Sequence, residues 1–96
     1  MATFMCFLNW TDQAAKTLKD APKRQDALMG MVQKAGGKLV SAYVTTGQYD
    51  VVLILDMPNG EAMTQLSVAI AAMGNHRTTT ARAFTPAEFN KIVAAA

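Results

Sequence analysis

One cysteine, one histidine and only 17% charged residues leave this 96-residue chain short of the side chains that most metal and catalytic chemistry needs. With Cys6 alone, no internal disulfide and no cysteine cluster can form, and the thiol is expected as a small buried apolar group within a strand. With His76 alone, and no Asp/Glu cluster at ligand spacing beside it, a metal site is not expected. Neither Cys6 nor any threonine stands in a motif with an activating base, so no catalytic residue is named. A phosphate loop is also missing, because Gly36-Gly37 follows a helical stripe instead of opening one. The net charge is only +2. Asp12, Asp20 and Asp26 interrupt Lys16, Lys19, Lys23 and Arg24, which describes a solvated helix face and argues against nucleic acid as a partner. The start, Met1-Ala2-Thr3-Phe4-Met5, carries no basic region, and no apolar run approaches the length of a membrane span. A cytoplasmic protein without a membrane partner is expected.

Apolar residues are plentiful, at 51% of the chain. A chain of this length is expected to be one domain burying roughly two-thirds of its unfolded surface, so apolar surface is left over. That favours self-association. The most informative stretch runs from Ala42 to Leu55, two strands joined at Gly47-Gln48, which suit the central positions of a type II′ turn. Such a turn pairs Thr46 with Tyr49, Thr45 with Asp50, Val44 with Val51, Tyr43 with Val52, Ala42 with Leu53, Ser41 with Ile54 and Val40 with Leu55. One face is then apolar (Val40, Ala42, Val44, Val51, Leu53, Leu55), while the other mixes Ser41, Tyr43, Thr45 and Asp50 with Val52 and Ile54.

Thr3 to Asn9 is apolar on both alternating sets, as a central strand would be. Thr11 can cap a helix through Lys19, and Asp20 its continuation, with Pro22 in the first turn and a break there. Ala27, Leu28, Met31, Val32 and Ala35 make the apolar stripe, and Gly36-Gly37 ends it. Asn59 caps a second helix with Met63, Leu66, Ile70 and Met73 facing the core. Asn75 to Phe84 reads as a strand with Thr79, Ala81 and Ala83 small on one side, where a helix can come close, and Thr78, Thr80 and Arg82 polar on the other. Thr85, Pro86 and Glu88 then open a terminal helix with a capping box, with Phe84 stapled to Phe89. The order β-α-β-β-α-β plus a short C-terminal helix predicts an α+β, ferredoxin-like split βαβ fold: a four-stranded antiparallel sheet with helices on one face. Met5, Phe7, Val52 and Ile54 would lie uncovered on the other face, predicting a sheet-to-sheet homo-oligomer, a dimer or higher.

Gly47, Tyr49 and Asp50, with Gln48 inserted in the second place, resemble the naming motif of the GYD domain family. Asn9-Trp10-Thr11-Asp12-Gln13, Pro22-Lys23-Arg24 and Gly74 to Phe84 also look like that family, so the likeness covers nearly the whole chain. It implies similarity to dimeric α/β barrel proteins, in which two open sheet faces pack together; it does not imply a reaction. With no catalytic pair, metal set or phosphate loop, but tyrosine, aspartate and arginine beside apolar strand ends, an accessory or stress-related ligand-binding module is expected. The glycine, tyrosine and aspartate at the hairpin are also similar to the effector-binding domain of leucine-responsive regulators, where the corresponding loop helps bind an amino acid between subunits.

Two readings of the polar residues stay open. In one, Asp50 accepts hydrogen bonds at the hairpin, Arg77 and Arg82 pair with acids, and all serve subunit contact. In the other, Tyr43, Thr45, Asp50, Thr78, Thr80 and Arg82 converge on the open sheet face, with Asn9, Trp10, His76 and Arg77 at the strand ends. That arrangement would bind a small anionic or zwitterionic molecule without a cofactor, through Tyr43, Tyr49, Asp50, His76, Arg77 and Arg82, an arginine on its carboxylate and Asp50 on its cationic part. The alternative is a small enzyme of the dimeric α/β barrel type, oxygenase- or isomerase-like. There His76 or Asp50 would move a proton without a cofactor, or His76 would ligate haem.

Overall fold

The computed structural model describes residues 1–96. Strands β1 (Ala2–Trp10), β2 (Lys38–Val44), β3 (Val51–Met57) and β4 (His76–Ala83) and helices α1 (Asp12–Lys16), α2 (Ala21–Lys34), α3 (Gly60–Ala72) and α4 (Pro86–Ala95) follow in the order β1-α1-α2-β2-β3-α3-β4-α4. The strands form one sheet in the order β2-β3-β1-β4, each neighbouring pair antiparallel. This is the ferredoxin-like arrangement the element order predicts. No helix is long and apolar enough to cross a membrane.

β1 is central because it is apolar on both alternating sets. Phe4, Cys6 and Leu8 point to the helices and are buried with Leu53, Leu55 and Met57 of β3. Leu28 and Val32 of α2 and Met63, Leu66 and Ile70 of α3 close over them in one core cluster. Truncating a fully buried member such as Leu55 to alanine removes about 2–5 kcal/mol in this kind of environment. Asn59 caps α3, its side-chain oxygen accepting from the Ala62 N–H at 2.8 Å. Met73 lies just past the last turn and is 42% exposed, so the stripe ends at Ile70. Thr11 caps α1 as expected, but the helical path breaks at Thr17, and a 3-10 turn (Leu18–Asp20) leads into α2 before Pro22 is reached.

The hairpin keeps the expected register over Ser41↔Ile54, Ala42↔Leu53, Tyr43↔Val52 and Val44↔Val51. It departs from the expectation at both ends. A bulge at Val40 pairs Leu39, not Val40, with Leu55, so Leu39 turns to the core side and Val40 is 52% exposed. An extra residue in one strand shifts every side chain beyond it to the opposite face. At the other end the connection is residues 45–50 and not a two-residue turn. Gly47 has the expected positive φ, +110°, with nothing within 4 Å of where a Cβ would stand, so only the backbone conformation asks for glycine there.

The two sides of β4 are the reverse of the expectation. Its register against β1 pairs Phe4 with Arg82, Cys6 with Thr80, Leu8 with Thr78 and Trp10 with His76, which puts the polar set on the helix side. Thr79, Ala81 and Ala83 lie on the open side. Helix α3 meets β4 through polar atoms, Ser67 Oγ standing 3.4 Å from Thr80 Oγ1.

Helix α4 has the capping box the sequence predicts: Thr85 Oγ1 accepts from the Glu88 N–H at 3.1 Å, and Glu88 Oε1 accepts from the Thr85 N–H at 2.9 Å. The Thr85 backbone bond holds the Glu88 carboxyl below its usual range. Yet α4 buries no residue, and Phe89, Ile92 and Val93 are 56%, 46% and 56% exposed. Loss of this cap, worth about 1 kcal/mol to a helix, should therefore fray α4 alone. We expect Thr85→Ala to lower far-UV helicity without moving the denaturant midpoint, whereas a lower midpoint would show that α4 is coupled to the core.

Candidate ligand pocket

Segments far apart in the chain meet where β1 ends. The Asp50 N–H donates to the Leu8 carbonyl at 3.0 Å and the Asp50 carbonyl accepts from the Thr45 N–H at 2.8 Å, so this residue ties β1 to the residue that follows β2. Its carboxylate is used as well, Oδ2 accepting from the Trp10 N–H at 2.8 Å. Asn9 Nδ2 donates to the Gln48 carbonyl at 2.8 Å and Thr45 Oγ1 to the Tyr49 carbonyl at 2.6 Å. The Tyr49 ring lies against Phe7, centroids 4.7 Å apart and planes tilted by 35°. The positive-φ glycine lets the loop curl back so that these groups reach the end of β1.

A second junction ties the start of β4 to the same place. Thr11 N–H donates to the Asn75 carbonyl at 3.1 Å, Thr11 Oγ1 to the Gly74 carbonyl at 2.7 Å and Gln13 Nε2 to Asn75 Oδ1 at 3.0 Å. A third is made by Arg24 of α2, which donates to the Thr17 carbonyl at 3.0 Å, to Thr17 Oγ1 at 3.1 Å and to the Ala14 carbonyl at 3.2 Å. All of its acceptors are uncharged. The guanidinium is thereby held in place and its charge is not neutralised within these bonds.

Under these junctions lies a cavity of about 230 Å³, between α2 and the sheet, lined by 14 residues of which 11 are hydrophobic. Leu28, Met29 and Val32 of α2 form one wall, and Leu39, Ala42, Tyr43 and Val44 of β2 with Val51 and Leu53 of β3 form the other. Its three polar residues are Arg24, Gln25 and His76, and Trp10, among the hydrophobic eleven, adds an indole N–H. His76 is 6% exposed, and no side-chain nitrogen here is sealed from solvent without a partner. Burial lowers its pKa, and the Arg24 charge lowers it further, so the imidazole is neutral at neutral pH. Cys6 is fully buried, and burial raises its thiol pKa, partly offset by a hydrogen bond from the Thr80 hydroxyl. That environment makes the thiol unreactive.

The residues expected to form one site are divided among several places. His76 lines the cavity. Tyr43 also borders the cavity, at its rim: it is 60% exposed, and its cross-strand partner Val52 lies on the open side of the sheet. Tyr49 packs on Phe7, and Asp50 is occupied by the Trp10 amide. Arg77 is exposed and lines a shallow depression with Thr11 and Gly74. Arg82 sits at the other end of the sheet, six residues along β4 from His76, which is roughly 20 Å. It donates to the Thr3 and Ala83 carbonyls and stacks on Phe84 at 4.3 Å, where pairing with an acid was expected. The polar set therefore does not converge on the open face. Arg24 is the pocket residue that reading the sequence missed, because it was counted with the solvated charges. Its signal was present: Arg24, Leu28 and Val32 recur at spacings of four, which places the arginine on the buried stripe.

The fold and this junction define an α+β protein of the ferredoxin-like class with a pocket between helix and sheet. The GYD domain family matches residues 4–93, and the chain belongs to that family. No protein of curated function matches it. Among solved structures it is similar to the leucine response regulatory protein LrpA of Mycobacterium tuberculosis, with a TM-score of 0.58 at 15% identity over 88% of this chain. The match takes in 51% of that protein, so this chain spans about half its length and the likeness is one of fold.

The Asp50 contact makes a direct prediction. Asp50→Ala leaves the half-buried Trp10 N–H without its acceptor and should cost about 1–3 kcal/mol in urea denaturation, while Asp50→Asn, which keeps an acceptor oxygen, should recover most of that loss. An alanine variant as stable as the parent would mean that the carboxylate does not hold the hairpin to β1.

Proposed function

We propose that this protein is a homo-oligomeric, small-molecule-binding module of the cytoplasm, an accessory or stress-related protein and not an enzyme. The observation that carries the reading is the preformed cavity between α2 and the sheet, mostly apolar with a few polar groups at one end. This is the usual form of a site that binds a small molecule. At about 230 Å³ it suits a single ring or a short aliphatic chain. The open side of the sheet supports self-association. Met5 and Phe7 of β1 and Val52 and Ile54 of β3 face away from the helices, flanked by the small Thr79 and Ala81 of β4 on one side and by Tyr43 and Ser41 of β2 on the other, with the Tyr49 ring against Phe7. Packing two such faces would remove that apolar surface from water.

One observation favours the alternative, a small enzyme that uses the same cavity. His76 is buried in the cavity as a neutral imidazole, so it can accept a proton from a bound molecule without a cofactor. Turnover of a compound that binds the cavity would decide for that alternative.

Sedimentation at micromolar concentration tests the assembly: a dimer or larger species is expected, and Ile54→Arg should dissociate it by placing charge in the packed face. A parent protein that sediments as a clean monomer contradicts the oligomer.

A further inference from the structure

We infer that the cavity between α2 and β2 selects an apolar monocarboxylate, such as an arylalkanoic or short-chain aliphatic acid, held at its carboxylate by Arg24 with Trp10 and His76 alongside. This rests on the reading of the cavity as a binding site and adds the chemistry of what enters it. The argument begins with what lines the space. No Asp or Glu does, while Arg24 brings a positive charge, and Gln25 and the Trp10 indole can donate hydrogen bonds.

Arg24 has the properties of an anion-binding group. Its three bonds go to the Ala14 and Thr17 carbonyls and the Thr17 hydroxyl, all uncharged acceptors. These bonds fix the guanidinium and leave part of its set of five N–H donors free for a further acceptor. It stands near enough to His76 for its charge to disfavour the imidazolium. A carboxylate in this place would receive charge-assisted bonds from a donor already in position, so little ordering entropy is lost on binding.

The rest of the wall sets the other end of the molecule. Leu28, Val32 and Leu53 are buried side chains of the core that also border the cavity, so the interior beyond Arg24 accepts hydrocarbon and rejects a second charged group. An α-ammonium group would find no carboxylate partner. Asp50, the acid bonded to the end of β1, already accepts from the Trp10 N–H and does not line the cavity. The inference therefore separates simple acids from amino acids.

Trp10 is the chain's sole tryptophan and borders the cavity, so its fluorescence reports occupancy directly. Titration with 3-phenylpropanoate, the neutral 3-phenylpropan-1-ol, phenylalanine and hexanoate tests the assignment. The acid should bind about tenfold or more tightly than the alcohol, as expected for one charge-assisted contact, and phenylalanine should bind more weakly than 3-phenylpropanoate. Binding of hexanoate with the same preference over hexanol would extend the class to aliphatic acids. Arg24→Gln should erase the preference for acid over alcohol and Arg24→Lys should keep part of it. Because Arg24 also ties α1 to α2, the comparison of acid with alcohol in the unaltered protein stands without either variant. Equal affinity for acid and alcohol would overturn the selection of carboxylate while leaving the cavity a binding site. Phenylalanine binding as tightly as phenylpropanoate would overturn the exclusion of an ammonium group. No fluorescence response to any of these five compounds would overturn both the inference and the reading beneath it.

Discussion

β1 reaches Trp10 with its amide pointing toward the β2–β3 connection, and the Asp50 carboxylate receives that amide at 2.8 Å. Through its own N–H and carbonyl the same residue is bonded to Leu8 and Thr45, so one aspartate joins the central strand, the hairpin and the loop between them. The consequences extend beyond local order. Trp10 sits opposite His76 on the helix side, and both border the cavity, so the position of the Asp50 loop bears on the shape of the pocket's polar end. The glycine, tyrosine and aspartate of the motif divide the work: Gly47 supplies the positive φ, Tyr49 packs on Phe7, and Asp50 makes the bridge. The motif is thus a fastening, and the cavity it helps to shape lies on the other side of the sheet from the Tyr49–Phe7 pair.

Local patterns explain how much of the fold was legible in the sequence. Capping residues at Asn59 and Thr85, the stripe of Met63, Leu66 and Ile70, and alternation along β3 each depend on neighbours within a few positions, and all appear as expected. Hairpin register was legible for the same reason, up to the bulge at Val40, which no residue near it announces. β4 is different. It is an edge strand whose two alternating sets are both small or polar, and its register with β1 is a contact across most of the chain. Nothing local says whether Thr78 or Thr79 shares a face with Leu8.

The candidate site was less legible because it depends on that distant pairing and on α2. His76 was identified, but it was grouped with residues that lie on the open face or at the far end of the sheet. Arg24 was hidden by composition, since lysines and aspartates surround it in the sequence while its side chain turns inward along the line of Leu28 and Val32. A charge among charges reads as solvated. Three hydrogen bonds to uncharged acceptors show that this one is held.

Two surfaces with different chemistry follow from the one sheet. The open side carries Met5, Phe7, Val52 and Ile54, the face proposed to pack on another copy, while the helix side borders a small cavity with an arginine and no acid in its lining. The claim that connects them is that Asp50 fixes the end of β1. Amide hydrogen exchange at Trp10 measures it most directly. Trp10 N–H is predicted to exchange as slowly as the amides of the β1 ladder and to lose that protection in Asp50→Ala; exchange at the rate of the exposed loop amides of Thr46 and Gly47 in the unaltered protein would contradict the account.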